Sequence, residues 1–263
     1  MNNLFFTLEG DANKPTIVFG HPLGMNSQAW DSIVPHFKEQ FHILRWDLPG
    51  HGKSAAIDKS VNALSEESLV TSLLAKCDEL GIKQFHYVGT SIGGMIGQQL
   101  LASHPERLLS VTLTNTGSKI GTQEGWLTRQ KEVMSQGLPA MASTLVLRWF
   151  SEDSINSNPT LAPFWQSQLA QVDDHSYGLL CTWLGQTDLT QSLSVSRIPT
   201  QLICGEKDVA TPPPLMKELA SLLHLKNIEV YPKVGHAPSV EAPEKLINSI
   251  KAFIKEGANK PLL

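Results

Sequence analysis

Cysteine is scarce in this chain of 263 residues. The three present, Cys77, Cys181 and Cys204, stand far apart and form no Cys-x-x-Cys pair, so they supply neither a disulfide framework nor a zinc site. A reducing compartment, the cytoplasm, is the expected setting. Surplus positive charge is also missing. The 21 lysines and arginines are outnumbered by 25 acidic residues, for a formal net charge of −4 at pH 7. That balance argues against nucleic acid or an acidic membrane surface as the main partner. No run approaches the roughly 18 apolar residues of a membrane span. The opening MNNLFFTLEGD has neither the basic nor the apolar region of a secretory leader, so none is expected. Internal repeats and low-complexity tracts are absent as well.

What remains is an ordinary globular composition, 41% hydrophobic and 17% charged, which excludes disorder. The length suits one large α/β domain, or a domain carrying an insertion. Strand-like and helix-like segments alternate through the first 115 residues. TIVFG (16–20), FHILRWD (41–47), FHYVG (85–89) and LLSVTLTN (108–115) read as buried strands bounded by turn residues. Between them SQAWDSIVPHF (27–37) and GMIGQQLLASH (94–104) predict helices. In LSEESLVTSLLAKCDELG (64–81), Leu69, Val70, Leu73, Leu74, Cys77 and Leu80 share one helical face, with Ser65 as candidate cap and Gly81 as stop. Repeated β-α-β order implies a mostly parallel sheet flanked by helices.

Between about 117 and 192 the pattern changes. Trp126, Trp149, Trp165 and Trp183 fall here, among helix-like segments with no good strand. This stretch is expected to be a helical insertion, a cap over the sheet's C-terminal edge, leaving 1–116 and 193–263 as the core domain. TQLICG (200–205) then resumes the strands, followed by helix (PPLMKELASLLH), strand (NIEVYP) and closing helix (PEKLINSIKAFIKEG).

Chemistry is signalled first at Gly89-Thr90-Ser91-Ile92-Gly93. Strand, G-x-S-x-G and helix in succession match a nucleophile elbow together with its required context. A tight turn holds the serine in a strained conformation, so its neighbours must be small. The helix N-terminus behind it favours developing negative charge. A serine hydroxyl is a weak nucleophile and needs a base, which needs an orienting acid. Of nine histidines, His175, His224 and His236 follow the elbow; His236, in the loop VGHAPSVEAPE between the last strand and last helix, is the candidate base. Asp208, in CGEKDVATPP at the exit of the penultimate strand, is the candidate acid. Glu206 is its nearest competitor, Asp188 belongs to the insertion, and the exit of LLSVTLTN offers only Asn115 and Thr116. Acyl transfer also requires oxyanion donors. Ile92 N–H, next to the nucleophile, is one; Leu23 N–H, in FGHPLGM (19–25), is the candidate second.

Taken together, GHPLGM, DLPGHGKS (47–54), GTSIGG, CGEKD and VGHAP, in that order, resemble the α/β-hydrolase superfamily over the whole chain. Within it the chain is most similar to 3-oxoadipate enol-lactonases, through ASHPERLLSVTLTNTGSKIGTQEGWLTRQ (102–130) and LRWF (147–150). The resemblance implies a cofactor-independent and metal-independent hydrolase. It assigns Ser91 as nucleophile, Asp208 as acid, His236 as base, Leu23 and Ile92 as oxyanion donors, and DLPGHGKS, with His51, as a structural loop. It implies a small ester or lactone substrate, such as an enol-lactone bearing a carboxylate. Trp126 and Arg129 share a helix face in the lactonase-like stretch and, with Trp149 and its neighbour Arg148, are the candidate substrate contacts. GHPLG departs from the lactonase pattern, with histidine and proline where small polar residues are usual. Serine at position 91 excludes the aspartate-nucleophile branch. Carboxylesterases, perhydrolases and carbon–carbon bond hydrolases share the triad. A ligand-binding protein that performs no turnover is the rival from another class.

Overall fold

The computed structural model describes residues 3–193 and 197–258. Its centre is a seven-stranded sheet in the order β1-β3-β2-β4-β5-β6-β7. The strands are β1 (Phe6–Glu9), β2 (Thr16–Gly20), β3 (His42–Trp46), β4 (Phe85–Thr90), β5 (Leu108–Thr114), β6 (Thr200–Gly205) and β7 (Glu229–Tyr231). All pairings are parallel except β1 with β3. β2 and β4 are buried along almost their whole length. That is the expected state of a central parallel strand covered by helices, and the reason these segments read as continuous apolar runs.

Helices α1 (Ser68–Glu79) and α2 (Ile92–Ser103) belong to the first half of the chain. α2 packs against β2, β4 and β5. The apolar face of α1 (Leu69, Val70, Leu73, Leu74 and Cys77) is buried, and Gly81, at φ 71°, ends the helical run. Five helices fill the interval between β5 and β6: α3 (Gln123–Gln136), α4 (Leu138–Val146), α5 (Glu152–Ser157), α6 (Leu161–Leu169) and α7 (Asp174–Gln186). They pack chiefly on one another, α3 against α7 and α4 against α6. Helices α8 (Pro213–Leu222), α9 (Pro238–Glu241) and α10 (Pro243–Ala258) complete the described chain. No helix among the described residues is long and apolar enough to cross a membrane.

Three local expectations are corrected. Residues 27–37 form two 3₁₀ turns, Ser27–Trp30 and Val34–His36, not one α-helix. Asn26 ties its side chain to Gln28 N at 2.9 Å, and Pro35 has no N–H to continue a helical ladder. Ser65 does not cap α1 with its side chain. Its hydroxyl meets Ser68 Oγ at 2.7 Å, while its carbonyl accepts Ser68 N–H. The third difference is β1, which periodicity does not reveal: four residues, half-buried, whose pairing with β3 is the only antiparallel one among the described residues.

Candidate active site

The crevice at the carboxyl end of a parallel sheet, where successive connections diverge to opposite sides, lies here between β2 and β4. Gly20 of β2 pairs with Gly89 of β4. The loop carrying Leu23 and the turn carrying Ser91 therefore leave the sheet side by side, although 68 positions of sequence separate them.

Ser91 adopts φ 58°, ψ −118°, a region L-residues avoid unless the surroundings impose it. The imposition is visible. Its N–H is shared by Thr114 O and Asn115 O, both at 3.1 Å, and its carbonyl accepts Met95 N–H and Thr116 Oγ1, both at 2.9 Å. A Cβ at Gly89 would collide with the Gly93 carbonyl, and one at Gly93 with the Gly20 carbonyl. Both glycines of the motif are thus required by close backbone approach.

His236 follows β7, and its Nδ1 lies 2.8 Å from Asp208 Oδ2. The Asp208 carboxylate is buried and fully surrounded by donors. Asn115 Nδ2 reaches Oδ2 at 2.7 Å, Thr211 Oγ1 at 2.6 Å, and the N–H groups of Ala210 and Thr211 bind Oδ1 at 2.8 and 3.0 Å. Burial pushes its pKa up. The positive charge available at His236 and the hydrogen bonds from His236, Thr211 and Asn115 outweigh it, and the group is held at about 2. At neutral pH it is therefore an ionised acceptor. The competitors lie elsewhere: Glu206 is exposed beside Lys207, and Asp188 pairs with Lys119.

Ser91, His236 and Leu23 line one cavity of about 240 Å³. Among the described residues Leu23 N–H donates to no protein atom. Ile92 opens α2, so its N–H has no intrahelical acceptor. Both groups are free to bind an anionic oxygen.

The opposite wall comes from the α3–α7 segment. Trp126, Arg129 and Trp149 all reach the cavity, as does Arg148. Trp126 Nε1 is engaged with Ile120 O at 2.5 Å, so the indole presents only its ring. Trp149 packs on Gly24, and its carbonyl accepts His236 N–H at 2.8 Å. Arg129 Nε is buried without a hydrogen-bond acceptor; the Glu132 carboxylate is 3.6 Å away, too far for one. Among the described residues the lining holds two arginines and no carboxylate. Its volume exceeds the roughly 150 Å³ that accommodates benzene and suits a small molecule.

Sequence reasoning missed several participants. In sequence Asn115 marks only a strand exit without an acid, yet it holds Asp208. Thr211 contacts both Asp208 Oδ2 and His236 Nδ1, the latter at 3.2 Å. Glu241 accepts N–H groups from Ser151, Gly235 and Ala237 and the Ser154 hydroxyl, so it ties the loop on either side of His236 to the start of α5. Tyr177, buried on α7, lines the cavity beside Arg129. The position of Asn115 at a strand's carboxyl end was the one available signal; the others depend on contacts between distant segments.

Comparisons with known proteins agree on the fold. A family model described as alpha/beta hydrolase fold matches residues 15–136. The 3-oxoadipate enol-lactonase 2 of Acinetobacter baylyi is 30% identical over 94% of this chain and 91% of its own. The pimeloyl-[acyl-carrier protein] methyl ester esterase of Pectobacterium carotovorum is 26% identical over 96% and 99%. The crystal structure of the enol-lactonase from Burkholderia xenovorans LB400 superimposes with a TM-score of 0.89 at 26% identity, covering 96% of each chain.

Proposed function

The chain belongs to the α/β-hydrolase family, and on that premise we propose that it is a serine hydrolase of small esters or lactones, acting through an acyl-enzyme on an enol-lactone that carries a carboxylate. The observation that carries this reading is the 2.8 Å contact between His236 Nδ1 and Asp208 Oδ2, on a ring that shares its cavity with Ser91.

In the first step His236 Nε2 takes the Ser91 proton as the oxygen attacks the ester carbonyl. The carbonyl π electrons move to oxygen, which is held by the N–H groups of Leu23 and Ile92. Collapse expels the enolic or alcoholic oxygen, which receives the proton from His236. A water then repeats the sequence: His236 accepts its proton, hydroxide adds to the acyl carbon, and Ser91 leaves and is reprotonated. Asp208, ionised and locked by its donors, keeps the imidazole in the Nδ1–H form and stabilises the imidazolium at each step. Protein groups and water account for every proton and electron pair.

Residues 117–192 serve in this reading as a cap that shapes the acyl-binding side. Arg129 receives the substrate carboxylate. Two arginines, Arg129 and Arg148, on the lining of the cavity support that role, and lactonase relatives point to an enol-lactone. A carboxylesterase of neutral substrates is the second reading, favoured by the apolar walls of Ile120 and Leu145.

An activity screen over carboxylated lactones, neutral lactones and short-chain esters, with Ser91→Ala as control and a serine-directed phosphonate as label, tests the proposal. Expected are turnover that prefers carboxylated lactones and phosphonylation of Ser91. Preference for neutral esters supports the carboxylesterase reading. Ligand binding without turnover or labelling establishes the non-catalytic alternative.

A further inference from the structure

Two buried histidines outside the triad contact the loop that carries Leu23, and they do so reciprocally. His21 belongs to the loop after β2. Its Nδ1 lies 2.8 Å from Pro22 O, and its Nε2 accepts Leu48 N–H at 2.9 Å. His51 belongs to the loop after β3. Its Nδ1 lies 2.9 Å from Pro49 O, and its Nε2 accepts Gly24 N–H at 3.0 Å. Each ring therefore binds a carbonyl of its own loop and accepts an amide of the other. A nitrogen facing an N–H must be unprotonated, and a nitrogen facing a carbonyl must carry the proton, so both rings are the neutral Nδ1–H tautomer. Neither ring has appreciable solvent exposure, and their centroids are 5.7 Å apart.

The consequence for Leu23 follows from peptide planarity. Pro22 C=O and Leu23 N–H are opposite ends of one peptide group. Fixing that carbonyl, from His21 Nδ1 and from Met25 N at 3.2 Å, aims the Leu23 N–H the other way. His51 fixes the next peptide through Gly24 N–H. We infer that His21 and His51 are positioning residues whose side-chain clasp presets the Pro22–Leu23 peptide as an oxyanion donor. Burial keeps both rings from charging: His51 is pushed down to about 3 and His21 in the same direction. The clasp is then intact at neutral pH. A preset donor is worth more than one that must reorient, because no free energy is spent turning the dipole during reaction.

The inference rests on the serine-hydrolase reading, and the experiments separate the two. In the wild-type protein at pH 7, ring nitrogen NMR is expected to show His21 and His51 as neutral Nδ1–H tautomers with hydrogen-bonded Nε2. An Nε2–H tautomer or an imidazolium at either ring overturns the clasp, whatever the protein catalyses. In kinetics, His51→Leu is expected to lower kcat and the rate of Ser91 phosphonylation about 10- to 100-fold, less than the 10²–10³ for outright loss of a donor, with KM within about threefold. His51→Gln, which can return an amide oxygen to the place of Nε2, is expected to regain most of that loss. Unchanged rates in a folded Leu variant, or a Gln variant with native stability and no recovery, refute the positioning role. Should the Leu variant not fold, the tautomers and the Gln variant decide. Wild-type protein that fails to label at Ser91 counts against the hydrolase reading alone.

Discussion

Asn115 Nδ2 donates to Asp208 Oδ2 at 2.7 Å, and to Gly235 O at 2.9 Å. One amide thus joins the end of β5 to the carboxylate and to the residue before His236. Asn115 itself sits at φ 45°, the left-handed region that asparagine tolerates better than most residues. Asn115→Asp places a second carboxylate beside Asp208, and like charges at that distance raise one pKa strongly. The expected result is a kcat loss of tenfold or more that deepens as pH rises. Asn115→Ala is expected to lose about 1–3 kcal/mol of stability, with a smaller kcat loss that is independent of pH. Parallel pH–rate profiles of the two variants check this; identical profiles contradict it.

Ser91 is expected to show a separation between activity and stability. Both Ser91→Ala and Ser91→Gly should reduce turnover by about 10⁴–10⁶. The strained backbone stays in the alanine variant and is relieved in the glycine variant, a gain of about 1–3 kcal/mol reduced by about 0.5–1 kcal/mol of extra unfolded-chain entropy. Thermal melts should place the glycine variant about 2–4 °C above the alanine variant for a net 1 kcal/mol. Equal melting temperatures would limit the strain to the roughly 0.5–1 kcal/mol that the glycine entropy offsets, and a lower-melting glycine variant would contradict it.

Arg129→Ala is expected to raise KM for a carboxylated lactone about 10- to 100-fold, the equivalent of losing a charge-assisted hydrogen bond. KM for a neutral ester of similar size should move less than threefold. Steady-state kinetics on the two substrates provide the check. An equal shift on both assigns Arg129 to cap packing instead.

Acid should destabilise the fold before it reaches the Asp208 carboxylate. Burial lowers the pKa of His51 to about 3 and of His86 to about 4, and lowers that of His21 as well. In the unfolded chain these rings protonate near 6.5. The unfolded state therefore binds more protons below that pH, and stability falls as pH falls, by up to about 1.4 kcal/mol per pH unit for each ring. Full stability is present above about pH 6.5; the His86 contribution is exhausted near pH 4 and that of His51 near pH 3. Asp208 adds a further loss only between its unfolded value near 3.9 and about 2. Urea midpoints measured from pH 7.5 to 4 should decline steadily, and a flat profile would mean that these rings charge in the native state.

The sequence by itself determined the parts and their order. Continuous apolar runs marked β2 to β6, and helical periodicity marked the buried face of α1. The glycines around Ser91 marked a turn where a serine faces backbone on both sides. These signals are short-range: each depends on residues within a few positions, through side-chain alternation, helical repeat and turn geometry. The same locality explains why β1, too short and half-exposed to advertise itself, needed its partner β3 to be seen, and why Pro35 was not enough to show that the run before it would close into 3₁₀ turns. Only the tertiary structure decided what meets. Placing β4 between β2 and β5 sets Leu23 beside Ser91, turns Asn115 from a missing acid into the support of a present one, and sets two loop histidines ring to ring. Strand order and register arise from burial summed over the whole sheet, and no short stretch of chain contains that sum.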